Sequence, residues 1–587
     1  IAEEDSLDAK TPAIFIGNTL EAQRQGIIPA SLPDFSYLIA VRNGNVFLCG
    51  NDRHGFGSRK SESYVQYILG SVKAVVVFME NYLGTRFLYP GEVGTSTPRS
   101  AGLSVPEGLS QKRTPMLNYA AGRNYELMYD YANNNFGKGA YWSYGGHSYY
   151  SAVPVRKYGK THPEFFAEIK GKRINPSGGK GAFLLSEQLC TTNPALRKEM
   201  VRNILAYCKK NPEVRTVAVI PNDGFGWCEC KECSAFYDRN RKGDLYSVSE
   251  HVYKASGIYH DLVRYVADQV HKTRPDINVA FCAYVNYCTP ADGFTLDKGM
   301  VLHFAPYWRC INHTIDDIEC PVNSRYARDI RDWAAVKNGG TLNIYEYYMG
   351  VNFYVSLPMI HFHEMFHEMH WYAENKVDGV LTQFHIPHWT VYGVNYYLMA
   401  KAAYGEDEHE SVNGMLQKLF GRDASIAVRF YGKLKKLIRS AGHCHIPYPY
   451  SLLSRTTLES YDTVRSFALE LAAKAPEDRF RRELVIWSEY LCRFKKLFDD
   501  YHKGEAGVAE IEAFRKWIHA YGDTRVFVHS KIDLLLDAWI DAVKAKKEWL
   551  HFNIDWEDEY IRKHRDLHGG SLDFSALPLP PVRYTRP

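Results

Sequence analysis

Two acidic residues stand where a chain of alternating strands and helices would present reactive groups. Asp223 follows the apolar run from Thr216 to Pro221 and precedes Gly224-Phe225-Gly226, and Glu346 ends the run Thr341-Leu342-Asn343-Ile344-Tyr345. Paired carboxylates at strand ends are the equipment of glycosidic-bond cleavage: one donates a proton, and the other acts as nucleophile or stabilising charge. Taken alone, Asp223 could equally cap a loop and Glu346 sit in a salt bridge. Other polar residues near strand ends could contact sugar hydroxyls, namely Arg123, Asn124, His147, Asn222, Tyr284, Tyr345, Gln383 and His385. Trp308 is the candidate ring-stacking platform. Aromatic content is 14%, with 42 Tyr and 11 Trp. That richness suits sugar rings, although most single tyrosines of this kind line cores.

Two further patterns could hold a metal. His363-Glu364-Met365-Phe366-His367 is a literal H-E-x-x-H, which on a helix could bind zinc through both histidines with Glu364 as base. It falls where a helix must cover the sheet, away from strand ends, and no third ligand follows at a recognised spacing. Helical amphipathicity accounts for it. Cys228, Cys230 and Cys233 form a C-x-C-x-x-C cluster close after Asp223. Three thiols lack a fourth ligand, so a metal site, a braced loop, or disulfides to Cys282, Cys288, Cys310 or Cys320 all stay open. No resident metal or cofactor is expected. Asn312-His313-Thr314 matches the glycosylation sequon, a pattern with many false positives.

The elements that must position these groups follow from periodicity. Ala13 to Ile16 reads as a strand, and Tyr37 to Val41 and Val46 to Cys49 as a hairpin turned by Asn43-Gly44. A helix over about Ser63 to Leu83 and a returning strand Arg86-Phe87-Leu88-Tyr89 complete a small α/β domain, residues 1–112. Eight strands are then expected, alternating with helices: Met116 to Gly122, Ala140 to His147, Leu184 to Cys190, Thr216 to Pro221, Ile277 to Tyr284, Met300 to Pro306, Thr341 to Glu346 and Gly379 to Phe384. Eight βα units predict a central (β/α)8 TIM-type barrel over residues 113–395, with its reactive groups at the carboxyl ends of the strands. Beyond about Asn395 the pattern is helical, with Thr457 to Ala475, Arg479 to Tyr501, Val508 to Tyr521 and Lys531 to Leu550 as the main segments. Residues 396–587 are therefore expected to be a helical domain ending in a Pro-rich tail.

Bulk composition narrows the partners. The 71 basic and 67 acidic residues of the 587-residue chain leave a formal charge of +4, too balanced for the electrostatic footprint of a nucleic-acid binder. The most apolar short run, Ala74 to Met79, is far below the ~20 residues of a membrane-spanning helix. The chain opens Ile1-Ala2-Glu3-Glu4-Asp5 without Met, as a trimmed mature protein would, so the compartment is inferred indirectly; the twelve cysteines are compatible with export, and a secreted, periplasmic or cell-surface location is the expectation. Oligomeric state is not readable.

Several segments also resemble a known group. Leu83-Gly84-Thr85-Arg86-Phe87-Leu88-Tyr89-Pro90-Gly91, His162-Pro163-Glu164-Phe165-Phe166, Gln188-Leu189-Cys190-Thr191-Thr192-Asn193-Pro194 and Pro221-Asn222-Asp223-Gly224, followed by the cysteine cluster, are similar in content and order to motifs of DUF4838 proteins. The likeness spans roughly residues 10 to 420. Part of that group is glycoside hydrolase family 163. The resemblance implies endo-β-N-acetylglucosaminidase action on N-glycans by exported enzymes of gut-type bacteria, retaining, with neighbouring-group help from the substrate acetamide. It would make Glu346 the acid/base and Asp223 the group that orients the acetamide. Where many relatives carry Glu after the eighth strand, this chain reads Leu381-Thr382-Gln383-Phe384, which points to a different sugar. An exo-hexosaminidase, a glucuronidase-like enzyme and a non-catalytic glycan-binding protein are the alternative readings.

Overall fold

The computed structural model describes residues 11–52, 70–88, 94–99, 102–121, 147–173, 188–212, 214–223, 226–239, 255–307, 309–348, 355–382, 389–444, 450–522, 524–527 and 529–545. The first unit is a four-stranded sheet made of β1 (Ile14–Ile16), β2 (Tyr37–Arg42), β3 (Asn45–Gly50) and β4 (Ser110–Arg113), in the order β1-β3-β2-β4. Asn43 and Gly44 take φ of 52° and 77°, the left-handed pair that a two-residue hairpin turn demands, and they set the register Arg42↔Asn45. Helix α1 (Gly70–Tyr82) covers one face of this sheet. The expected returning strand at Arg86 is a correction. Arg86–Phe87 forms a small separate ribbon with Thr95–Ser96, and the strand that completes the sheet is Ser110–Arg113.

The second sheet is wholly parallel. Its strands are β5 (Asn118–Ala121), β6 (Thr216–Ala218), β7 (Asn278–Ala283), β8 (Met300–Phe304), β9 (Thr341–Glu346) and β10 (Gly379–Thr382), ordered β6-β7-β8-β9-β10-β5. The fold class is therefore mixed α/β about a parallel sheet. The other two expected strands, Ala140 to His147 and Leu184 to Cys190, lie almost entirely outside the described residues. Where the chain returns, Ser148 Oγ donates to Ala218 O (2.8 Å) and accepts from Ile220 N (2.8 Å), and Gln188 exchanges two hydrogen bonds with the Asn222 backbone (2.8 and 2.9 Å). Both ends flank the chain just past β6.

Helices α2 (Pro194–Lys210), α3 (Ser256–Thr273), α4 (Pro321–Ala335), α5 (Phe362–Glu374) and α6 (Trp389–Ala403) alternate with these strands. Asn193 caps α2 by accepting from Ala195 N and Leu196 N, with Pro194 at the first helical position where no N–H is needed. Side-chain parity fixes which strand face meets this helical layer. Phe281 packs edge-on to Trp333, and Phe304 to Tyr326, both on α4. The registers Leu302↔Leu342 and Phe304↔Ile344 carry that face onto β9. His303, Asn343 and Gly379 share the opposite face, and a Cβ at Gly379 would stand 3.0 Å from Asn343 Oδ1 and 3.2 Å from Asn118 O. Only glycine fits there without displacing a neighbour.

The longer helices that follow are α7 (Glu408–Phe420), α8 (Ala424–Ser440), α9 (Leu458–Lys474), α10 (Arg479–His502), α11 (Val508–His519) and α12 (His529–Lys544). The last four match the helical segments expected from sequence to within a few residues at most ends. Helix α10, together with α6, grips the segment that follows β9. Trp487 Nε1 donates to Ser356 O (2.8 Å), the Tyr490 hydroxyl to Val355 O, and Tyr392 Oη to Leu357 O (2.7 Å). Val355 and Ser356 sit at φ of 43° and 63°. A β-branched residue in the left-handed region is held there against a cost of ~1–3 kcal/mol.

The N-terminal unit is fastened to α6 and α7 by charge. Glu80 of α1 is almost fully buried and meets Lys401 Nζ at 3.2 Å and Lys418 Nζ at 3.8 Å, while Tyr404 Oη donates to Phe35 O (2.8 Å). Burial alone would raise the Glu80 carboxyl; Lys401, Lys418 and Lys73 together outweigh it and hold it below its ordinary value of 4.5. A carboxyl that titrates lower in the fold than in the unfolded chain contributes stability that is intact above pH 4.5 and is lost as pH falls through the folded value. Acid titration of unfolding should therefore show a steeper loss for the native chain than for Glu80→Gln; parallel acid limbs would contradict the assignment.

Candidate active site

Asp223 lies just past β6, at the carboxyl end of the parallel sheet, with a side chain 36% exposed. Its position is set from upstream by the paired amide of Gln188 on Asn222, which is buried, and by Ser148 on Ile220. His147 stands beside it. Its Nδ1 is 2.6 Å from Pro221 O; a carbonyl only accepts, so Nδ1 carries the proton. The other ring nitrogen, Nε2, faces Asp223 Oδ2 at 4.0 Å. That gap is too long for a direct hydrogen bond and fits a shared water or substrate hydroxyl between an imidazole and a carboxylate.

Aromatic rings run from Asp223 along the same end of the sheet. Trp227 contacts Tyr287 (5.8 Å between centroids), Tyr287 contacts Tyr284 (6.1 Å), and the row continues through Tyr307 (5.5 Å), Tyr347 (5.7 Å) and Tyr345 (5.5 Å). Tyr284, Tyr307 and Tyr345 are half-buried, leaving part of each side chain open to solvent. Burial above all, helped by the nearby Tyr307 and Asp223, pushes the Tyr284 phenol well above its usual range, so it stays protonated and can donate. Tyr307 and Tyr347 were not singled out from the sequence, although the cluster Tyr345-Glu346-Tyr347-Tyr348 carried the signal.

Glu346 is placed differently from the expectation. Its side chain is fully buried and shares the helix-facing side of β9 with Leu342 and Ile344, whereas Tyr345 takes the opposite face. Arg309 Nη1 donates to Glu346 Oε1 (2.6 Å), Tyr372 Oη to the same oxygen (2.6 Å), and Tyr347 N to Oε2 (3.0 Å). Arg309 also binds Glu368 Oε2 (3.0 Å) and pairs closely with its Oε1, while Tyr348 Oη (2.5 Å) and Ile315 N (2.8 Å) complete that carboxylate. Burial raises the Glu368 carboxyl against the pull of Arg309. The salt-bridge alternative is the one this fold realises: the Glu346 carboxylate is sealed against Arg309 and Tyr372. Arg309 is its partner and Glu368 a second carboxylate on the same guanidinium; neither was singled out from the sequence.

Among the other sequence candidates, His147, Asn222, Tyr284 and Tyr345 gather at this end of the sheet. Arg123, Asn124, Trp308, Gln383 and His385 lie outside the described residues. The H-E-x-x-H segment is helical, within α5, but Glu364 is buried against Lys435 Nζ (2.6 Å), and its histidines turn to separate carboxylates, His363 to Glu408 (3.1 Å) and His367 to Asp316 (2.8 Å). Asn312 of the sequon is buried and donates to Ile438 O (2.9 Å) and Gly442 O (2.5 Å), so it is closed to glycosylation.

Removing the Arg309 countercharge leaves two carboxylates buried without it, a loss of about 3–5 kcal/mol. Urea unfolding of Arg309→Met should show a drop of that size, with Glu346→Gln losing less because Gln keeps an acceptor for Tyr372. Arg309→Met unfolding at the native midpoint would refute the reading of this cluster as an anchor.

No curated protein is significantly similar to this sequence. A family 89 glycoside hydrolase from Clostridium perfringens in complex with 2-acetamido-1,2-dideoxynojirmycin aligns with TM-score 0.43 and 7% identity over 82% of this chain and 61% of that chain, so less than two thirds of that enzyme's length is spanned. The same family 89 enzyme in complex with PUGNAc aligns with TM-score 0.45 and 9% identity over 93% of this chain and 69% of that one. A GH138 enzyme targeting pectin rhamnogalacturonan II aligns with TM-score 0.35 and 9% identity over 95% of this chain and 80% of that one. Residues 89–433, more than half of the chain, match the family described as "Domain of unknown function (DUF4838)", and the chain belongs to that family.

Proposed function

We propose that this protein is a glycoside hydrolase acting on N-acetylglucosamine-containing glycans, with Asp223 as its reactive carboxylate at the mouth of a (β/α)8 barrel. The observation that carries the reading is a solvent-reachable carboxylate, paired across a water-sized gap with a histidine of fixed tautomer, near an aromatic row in which Tyr284, Tyr307 and Tyr345 are half-buried. Sugar rings stack on such rings, while the phenol edges and His147 bind hydroxyls. Barrel closure is supported by the strand order. The first strand pairs in parallel with the last, and the described residues next to the other two expected strands, Ser148 and Gln188, bond the chain at the end of β6. Membership in DUF4838, with the resemblance to glycoside hydrolase family 163, supports the N-glycan substrate and an endo-acting, exported enzyme.

In this reading Asp223 orients the substrate acetamide and takes its N–H proton as the acetamide oxygen bonds to the anomeric carbon and the glycosidic bond breaks. The departing oxygen takes its proton from a water, whose hydroxide then opens the oxazoline at the anomeric carbon while Asp223 returns the N–H proton. His147 then holds a water or hydroxyl on the same carboxylate through Nε2. Glu346 acts as an anchor for β9 and takes no part in proton transfer. The test is a screen of N-glycoproteins, glycosaminoglycan fragments and aryl glycosides, with product masses measured, followed by Asp223→Asn and Glu346→Gln on the best substrate. Asp223→Asn should lose at least about 100-fold in kcat with glycan affinity kept within a few fold, the range for removal of an acid/base group. A protein that turns over none of these substrates and binds glycan equally well with Asn at 223 is a lectin, and the enzymatic reading fails.

A further inference from the structure

We propose that the chain holds two closed zinc ions that brace the loops around the candidate active site. One would be bound by Cys190, Cys228, Cys230 and Cys233, and the other by Cys310, His313, Cys320 and His443. Within each group, one ligand atom from every residue lies within 4.8 Å of all the others. The sequence offered three thiols after Asp223 and no fourth; the fold supplies it from Cys190, at the end of the expected third strand. Zinc–sulfur bonds of about 2.3 Å at tetrahedral angles put neighbouring sulfurs ~3.8 Å apart. Cys190 Sγ stands 3.6 Å from Cys230 Sγ and 4.0 Å from Cys233 Sγ, near that edge and far from the ~2.05 Å of a disulfide.

The second group has the same character with a mixed donor set. Cys310 Sγ is 3.2 Å from His313 Nδ1, and Cys320 Sγ is 3.7 Å from His443 Nδ1, with the two imidazoles stacked at 4.6 Å. Each site has a supporting shell of the kind thiolate sulfurs need. Glu168 N donates to Cys228 Sγ (3.3 Å) and Cys444 N to Cys310 Sγ (3.4 Å). A zinc tetrathiolate carries a net double negative charge, and the Arg173 guanidinium, 3.6 Å from Cys228 Sγ, is placed to offset it. All six cysteines are buried and each set is full at four, which leaves no position for water or substrate: these are structural sites. Four sulfurs, or two sulfurs and two imidazoles, gathered within 4.8 Å are both donor sets of a single structural zinc.

Their placement gives them a task. The tetrathiolate joins the segment after Gln188, which fixes Asn222, to the loop immediately after Asp223, so the carboxylate is held from both sides. The mixed site begins one residue past Arg309 and ends at His443, beyond α8 (Ala424–Ser440), tying the anchor of Glu346 to the C-terminal helices.

The experiment is metal analysis of the full chain, purified without chelator or metal-affinity resin, by inductively coupled plasma mass spectrometry and by native against denaturing intact-mass measurement. Two zinc per chain are expected, lost on denaturation, with all thiols then free to alkylate. Cys190→Ser and Cys320→Ser should each bring the content from two to one, while Cys208→Ser, a buried thiol outside both groups, keeps two. If either variant does not fold, cobalt refilling of the native chain decides instead. Two equivalents must bind, one with the strong charge-transfer absorption of four thiolates. Zinc below about one-tenth per chain, iron in its place, or cysteines recovered as disulfides overturns the proposal.

Discussion

A guanidinium sealed from water between two carboxylates sets the terms for the rest of this fold. Arg309 comes from the chain after β8, Glu346 from the end of β9 and Glu368 from the middle of α5, and none has an appreciable exposed surface. One positive charge cannot satisfy two buried negative ones alone. The phenols of Tyr348 and Tyr372 and the N–H groups of Ile315 and Tyr347 supply the remaining donors. Such a cluster tolerates no slippage, because moving any member strands a charge in a medium that cannot solvate it. Strand β9 is thereby locked in rotation about its own axis. The next residue back, Tyr345, must then project from the opposite side, where the aromatic row runs.

That rotation is also the point at which sequence reasoning reached its limit. A half-buried strand alternates apolar and polar residues and so declares which side faces the core, but β9 is covered on both sides and reads Leu342-Asn343-Ile344-Tyr345-Glu346 with no clean alternation. The end of the strand was legible and its phase was not. Asp223 escaped this ambiguity because it stands beyond the strand, on a stretch fixed by Gln188 and Ser148. The hairpin at Asn43-Gly44, six parallel strands and the long C-terminal helices were readable because turn chemistry and periodicity are local. Ser110–Arg113 was missed because a strand of Ser-Gln-Lys-Arg, mostly exposed at a sheet edge, has no apolar signature at all. Long-range partners left no trace in spacing. Cys190 precedes Cys228 by dozens of residues, and nothing in the sequence near Glu346 names Arg309.

The chain just past β6 is held by buried polar side chains. A single amide, Gln188, reads both backbone groups of Asn222, and a single hydroxyl, Ser148, bridges Ala218 and Ile220. These are short, satisfied and buried contacts, which fix a direction more tightly than apolar contact of equal area. Rigid positioning of a carboxylate that must stay partly open to solvent calls for that kind of support.

The left-handed backbone at Val355 and Ser356 bears on how this protein can be inherited or cut. Its pins are Trp487 and Tyr490, more than fifty residues beyond the point where the family match stops at 433. A boundary drawn by sequence kinship therefore passes through a mechanical whole. A shortened chain ending there would keep every recognisable motif and surrender the clasp that bends the segment after β9, so ancestry and engineering must carry the distal helices along as cargo that cannot be unloaded.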